Sequence, residues 1–203
     1  MRVRAGEDCV DYIQQVLHPG AFESGLTPRR FEDYEFRMFN NLDSMRKRIV
    51  ELEDSHGLAR LLAGYAWDWK SKSDRNAFDI EIDGCRLRWN STATDWINAP
   101  GSINEVGSIH TVQGYDLNFA GVIIGPELRY DPVGRRLFID RAAYRDKKGK
   151  ENNPLLGKVY TDDDLLRYVV NIYGVLLTRG MLGTLVYVCD ADLRAHLGQL
   201  IRT

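Results

Sequence analysis

The chain has 203 residues, enough for one domain with a sizeable core. Its 44% hydrophobic and 28% charged residues are an ordinary globular balance, and no apolar run approaches the roughly 20 residues of a membrane-spanning helix. A net charge of −2 excludes a polycation that coats nucleic acid with its whole surface, so any such contact must come from a local patch or a partner domain. Cys9, Cys85 and Cys189 are isolated, with no second Cys or His at ligand spacing. They predict a reducing cytoplasm, no disulfide frame and no metal site. The N-terminus has acids in its second half and no long apolar stretch, unlike a signal peptide.

In chain order, Val10, Ile13, Val16 and Leu17 recur at helical spacing over residues 6–18, and Pro19-Gly20 ends the pattern. Residues 21–34 read as a loop and 35–39 as a strand. Leu42, Met45, Ile49 and Leu52 make the apolar stripe of a helix over 41–55. Residues 59–65, ARLLAGY, form a buried strand that runs into Ala66-Trp67-Asp68-Trp69-Lys70-Ser71-Lys72. Two tryptophans beside two lysines have two readings: a packing corner over the sheet edge, or a surface that stacks on bases and holds phosphates.

Asp83-Gly84 is a two-residue turn signal between alternating segments, so residues 78–89 predict a β-hairpin. Its register sets Ile82 against Cys85, Glu81 against Arg86, Ile80 against Leu87 and Asp79 against Arg88. Asp79, Glu81 and Asp83 share a face, as a metal-dependent nuclease would need. Opposite charges across the ladder are the simpler account.

Residues 90–104 are polar and read as a loop. Two apolar runs near 106–109 and 119–124 then enclose His110-Thr111-Val112-Gln113-Gly114-Tyr115-Asp116, dense in groups that bind phosphate or sugar. In open α/β sheets ligands sit at strand ends of this kind. Asp131-Pro132-Val133-Gly134 is the turn of a short hairpin within 126–140, and residues 141–157, with Lys147, Lys148 and Lys150, read as a charged loop. Thr161 caps a buried helix with Asp162, Asp163 and Asp164 in its first turn, where the helix dipole favours acids. It ends at Thr178-Arg179-Gly180, with Gly180 read as a C-cap; a strand over 185–189 and a helix over 191–201 follow. Helices alternating with strands predict an α/β fold with a mostly parallel sheet and an inserted hairpin.

Three blocks carry a family resemblance: ARLLAGYAWDWKSK (59–72), EVGSIHTVQGYDLNFAGVIIG (105–125) and YGVLLTRGMLGTLVYVCD (173–190). In this order they resemble motifs IV, V and VI of the second motor domain of superfamily 1 helicases, most closely the Schlafen-like DNA/RNA helicases. The resemblance implies a RecA-like, P-loop NTPase-type three-layer sandwich, as one domain over 1–203 with a helical lead-in (1–57) and a motif-bearing core (58–203). It implies that Arg179 is an arginine finger, a permanent cation set against charge developing on a transferring phosphoryl group. It places Gln113, Gly114, Asp116, Thr178 and Lys70 toward the nucleotide, although many relatives carry a glutamate near the Asp116 position. It places His110, Thr111, Trp67 and Trp69 toward single-stranded DNA or RNA.

No G-x-x-x-x-G-K-[ST] occurs in the chain, and no strand carries the paired acids that hold Mg²⁺ beside a P-loop. The match begins where a first motor domain would end, since Met1–Gly6 resembles the segment leaving motif III, with Arg2 at its usual arginine. The expectation is the C-terminal half of an ATP-dependent helicase or translocase, inactive alone. ATP and Mg²⁺ would bind only in the two-domain protein, none tightly to this chain. The expected partners are single-stranded nucleic acid and the missing motor domain, with homodimerisation through the exposed cleft face a further option and no membrane. The alternative is a non-catalytic nucleic-acid or protein-binding module on the same fold.

Overall fold

The computed structural model describes residue 3 and residues 6–18, 26–146 and 159–203. The expected lysine-rich loop over 141–157, the Arg2 segment and the first five residues of the loop over 21–34 lie partly or wholly outside these residues. The elements are α1 (Gly6–Val16), β1 (Glu35–Phe39), α2 (Leu42–His56), β2 (Ala59–Ala63), β3 (Ile80–Ile82), β4 (Cys85–Trp89), β5 (Glu105–Gly107), β6 (Leu117–Ile124), β7 (Leu128–Asp131), β8 (Arg136–Ile139), α3 (Asp162–Leu177), β9 (Gly180–Val188) and α4 (Ala191–Leu197).

Seven strands form one sheet in the order β1-β9-β6-β2-β5-β4-β3. All neighbours are parallel except β3, which pairs antiparallel with β4. Parallel strands buried on both faces read as unbroken apolar runs, because successive side chains enter opposite layers. Leu61, Ile123, Leu185 and Tyr187 pack with Leu42, Met45, Ile49 and Leu52 of α2. Their neighbours Leu62, Val122, Val186 and Val188 pack on the other face with α1, α3 and α4. The result is a three-layer α/β arrangement, consistent with the RecA-like sandwich. Residues 1–57 contribute more than helices: β1 extends the sheet beside β9 and α2 covers a face. Among the described residues no helix is long and apolar enough to cross a membrane.

Several local expectations change. The second run of the central segment begins at Leu117, and β9 begins at Gly180, five residues before the expected strand. Gly180 is therefore a strand residue and not a helix cap. A side chain there would collide with the Gly183 carbonyl. The last helix stops at Leu197. The 90–104 loop holds two 3-10 turns, with Trp96 and Ile97 buried. It is pinned by Arg60, a buried arginine on a central strand that ion-pairs with Glu53 at 2.7 Å and donates to Ser102 Oγ and the Ile97 carbonyl. The hairpin register holds for Ile80–Leu87, Glu81–Arg86 and Ile82–Cys85. Asp79 does not face Arg88. Arg88 donates to the carbonyls of Ala77 and Asn76 and lies over the Phe78 ring.

At the carboxyl end of β6, Glu127 is fully buried, and one carboxylate oxygen accepts from the Tyr173 hydroxyl. Tyr173 in turn accepts from the Gly125 N–H at 2.8 Å. Glu127 Oε2 has no partner, and burial pushes the carboxyl up from 4.5 to about 7. Because the folded pKa is raised, the fold binds a proton that the unfolded chain releases. Stability is then highest near and below pH 4.5 as far as this group is concerned, falls as pH rises to about 7 and levels above it. The move costs about 3 kcal/mol at 1.36 kcal/mol per tenfold change. Glu127→Gln, which keeps the acceptor for Tyr173, is expected to melt higher than the parent chain at pH 8 and to flatten the decline between pH 5 and 7. Thermal melts across pH check this; a parallel decline in both proteins refutes it.

Candidate functional site at the two ends of one crossover

Residues 108–116 connect β5 to β6, which lie on either side of β2 and run in the same direction. Gly107 lies level with Leu62 and Val122, so the connection must travel back along the strand axis to reach Leu117. At about 3.3 Å per strand residue this is roughly 17 Å, bridged by nine residues. The segment is a chain of turns: Thr111 N–H and Val112 N–H donate to the Ser108 carbonyl, and Tyr115 N–H donates to that of Val112. Val112 is fully buried in the core shared with α3. The Thr111 hydroxyl donates to Asn90 Oδ1 at 2.9 Å, which leaves Ser108 Oγ as the donor in its 3.0 Å bond to Thr111. Thr111 is 5% exposed. Its hydroxyl fixes the turn and is not presented to solvent.

His110, next to it, is exposed at the carboxyl end of the sheet. Its ring centroid is 6.4 Å from that of Tyr65. Tyr65 stacks on buried Trp89 at 5.4 Å and 12°, and half-buried Trp67 and Trp69 each lie 6.3 Å from Trp89. Each tryptophan packs on Trp89, as the packing-corner reading expects, and is only partly buried. Lys72 sits over Trp69 and Lys70 is exposed, both in the 3-10 turn Lys70–Lys72. This turn is held by Asp79, whose buried carboxylate accepts from Ser71 N–H, Ser71 Oγ and Trp89 N–H at 2.6–2.8 Å. Three donors account for the burial of that charge. Among the described residues no group of three or more His, Cys, Asp or Glu side chains is placed to hold a metal ion.

The other end of the crossover lies at the amino edge. On the way to it Gln113 and Gly114 are exposed, and Gly114 has φ +84°, a left-handed conformation that glycine adopts without strain. Tyr115 and Asp116 are half-buried beside Arg179, whose Nη1 donates to the Tyr115 carbonyl at 3.4 Å. The Arg179 carbonyl accepts from Leu117 N–H as β9 joins β6. The Thr178 hydroxyl turns back to the Gly174 carbonyl and ends α3. So the structure gathers Asp116, Thr178 and Arg179 on one edge and His110, Trp67, Trp69 and Lys70 on the opposite one, with Gln113 and Gly114 exposed on the turns between and in no contact with Arg179. Thr111 lies between, buried. Helix α3, about 24 Å long at 1.5 Å per residue, runs from the His110 end to Arg179.

A family model described as Schlafen group 3, DNA/RNA helicase domain, matches residues 1–190. The chain belongs to this Schlafen helicase-domain family. It is similar to the uncharacterized protein YPL245W of Saccharomyces cerevisiae, with 30% identity over 217 residues, 97% of this chain and 46% of the yeast protein. The chain therefore spans less than half the length of that relative. No solved structure matches it.

In this Schlafen-family chain, sequence reasoning missed the supports: Asn90, Ser108, Tyr65 and Trp89. Asn90 lies 21 residues from Thr111 and carries no local signal. Trp89 could have been placed, since it ends the hairpin strand that pairs with β5. Thr111→Val removes the donor to Asn90 and leaves a buried acceptor unsatisfied. It is expected to cost about 1–3 kcal/mol, read as a lower urea midpoint at unchanged slope. A midpoint within error of the parent chain refutes the lock.

Proposed function

We propose that this chain is the second RecA-like motor domain of an ATP-dependent DNA/RNA helicase or translocase, acting as a single domain beside a first motor domain that supplies the P-loop. The observation that supports this reading is the division of one connection between two ligands. Residues 108–116 carry His110 at the carboxyl edge and Tyr115 and Asp116 at the amino edge, and Arg179, two residues past the end of α3, lies beside the latter. A motor must tie the state of its nucleotide to its grip on a strand, and a short rigid connection with a packed helix alongside is a physical means of doing so.

The amino-edge residues suit one wall of a nucleotide cleft. Arg179 supplies a permanent cation for a γ-phosphoryl group and Asp116 an acceptor for a ribose hydroxyl, while Gly114, on the turns leading there, lets backbone approach closely. The nucleotide with its Mg²⁺, when bound between two such domains, supplies the phosphoryl group whose developing charge Arg179 would meet. At the other edge His110, Trp67, Trp69 and the lysines of the 70–72 turn offer stacking and phosphate contacts that do not read sequence, as translocation requires. Thr111 enters as a positioning residue, since its hydroxyl is committed to Asn90. Lys70 fits the strand better than the nucleotide, because it lies on the aromatic edge.

The chain alone is expected to bind single-stranded oligonucleotides with strong salt dependence and to show no nucleic-acid-stimulated phosphate release. Joined to its P-loop domain, it should turn over ATP, and Arg179→Ala should lower that rate by about 10³-fold while strand binding persists. His110→Ala should weaken strand binding several-fold without that loss of basal turnover. Robust turnover by this polypeptide alone, or an unchanged rate in Arg179→Ala, refutes the assignment.

A further inference from the structure

One ion pair on the aromatic edge joins distant parts of the chain. Arg145 Nε lies 3.8 Å from Asp68 Oδ2. Asp68 stands between Trp67 and Trp69 in sequence, and its side chain is 66% exposed. Arg145 is brought there by its backbone, because its N–H donates to the Tyr65 carbonyl at 2.8 Å, just past the end of β2. The Asp68 carbonyl accepts from the Lys70 N–H at 3.1 Å, at the start of the turn that carries Lys70 and Lys72. Three cations, Lys70, Lys72 and Arg145, therefore stand along the stretch that holds Tyr65, Trp67 and Trp69.

As a structural link this pair is poor. Its separation is beyond hydrogen-bond range, and both side chains reach water. Exposed pairs of this kind add little to stability. The segment is already tied down by the backbone bond to Tyr65, which does not use the Arg145 side chain. Asp79, close by, is the opposite case: it is buried and takes three donors at 2.6–2.8 Å, so it anchors the turn. Among the described residues the Asp68 carboxylate pairs with Arg145 alone. An unneutralised carboxylate between two tryptophans would repel a polyanion from this edge. Here a guanidinium neutralises it through one long contact that is easily given up.

We infer that Arg145 is a phosphate contact of the bound single strand and that Asp68 is the internal counter-ion it exchanges for that phosphate. The inference rests on the nucleic-acid reading of the aromatic edge. A guanidinium presents its donors as a planar fork that matches two phosphate oxygens, and such charge-assisted pairs are stronger than one long contact to a carboxylate. A strand whose bases lean on Trp67 and Trp69 carries its backbone past Asp68, where the guanidinium already sits. The exchange needs only the rotation of one side chain, since the Arg145 N–H stays on the Tyr65 carbonyl. A phosphate contact reads no base, as a strand path without sequence preference requires. The carboxylate has its own use in this scheme. A motor must release the strand as well as grip it, and Asp68 recaptures Arg145 when the phosphate leaves.

The test is fluorescence anisotropy on the 203-residue chain with labelled U12 and A12 at a series of NaCl concentrations. Arg145→Ala should weaken both strands alike, by about 3- to 10-fold at low salt, and should reduce the slope of log K against log salt by about 0.7. Arg145→Lys, which keeps the charge, should keep the slope. Asp68→Asn should tighten both strands by about 2- to 5-fold. That gain should shrink when Arg145 is already Ala, because there is then no pair to break. If Asp68 held Arg145 throughout, the gain would instead grow in that background, since the carboxylate would be left unneutralised. Melting temperatures should match the parent chain, as the backbone bond at Arg145 is untouched. Unchanged binding in Arg145→Ala, weakening of one strand and not the other, or a gain from Asp68→Asn that does not shrink in the double variant overturns the exchange and leaves the motor assignment standing. Failure of the parent chain to bind either strand overturns both.

Discussion

The constraint on which this molecule depends is the return path from β5 to β6. Two parallel strands separated by a third can be joined only by a connection that comes back along the strand axis. Here nine residues do it without a full helix. Such a path is short enough to need fixing at every turn. Ser108 and Asn90 hold Thr111, Val112 is sunk into the core beside α3, and the Tyr115 carbonyl accepts from Arg179. One consequence is geometric: one short connection carries His110 at the carboxyl end of the sheet and Tyr115 and Asp116 beside Arg179 at the amino end. The other is mechanical, since α3 packs beside this path and also ends at opposite edges. Both run through a close-packed interior, which does not deform freely.

Buried polar groups act in the same direction. Arg60, Asp79 and Glu127 sit at the margins of the apolar layers, and each anchors a loop: Arg60 the 90–104 segment, Asp79 the 3-10 turn after Trp69, Glu127 the turn after β6 through Tyr173 and Gly125. Arg60 and Asp79 are well satisfied, whereas Glu127 is half-satisfied and largely protonated below about pH 7. The loops so anchored frame the aromatic edge. That edge is built from the inside outward, with Trp89 as the buried centre against which the more exposed Tyr65, Trp67 and Trp69 lean.

The fold class was readable because the physics that forms it is periodic. Apolar runs without alternation reported strands buried on both faces, and the α2 stripe and the Thr161 cap with its three following acids reported helices. The Asp83-Gly84 turn reported a hairpin whose three central pairs are found. Boundaries were less readable. Strand β9 extends forward to Gly180 because its partner β6 begins at Leu117, a pairing no local pattern encodes. Asp79 was read as an ion-pair partner for Arg88 from ladder geometry alone. Its actual partners are Ser71, from a loop that folds over the end of the hairpin, and the Trp89 N–H at the end of β4.

The sequence by itself determined the parts list: a sheet of buried parallel strands, the three blocks that place the chain among helicase domains, and the residue types that phosphate, sugar and base contacts require. These follow from composition, period and order, which local chemistry writes into the chain. Only the tertiary structure decided which parts act together. It set His110 with Tyr65 and the tryptophans, set Tyr115 and Asp116 with Arg179, and withdrew Thr111 into the turn. Those groupings depend on strand order and on hydrogen bonds between residues 21 to 64 positions apart, and such distances leave no mark on local sequence.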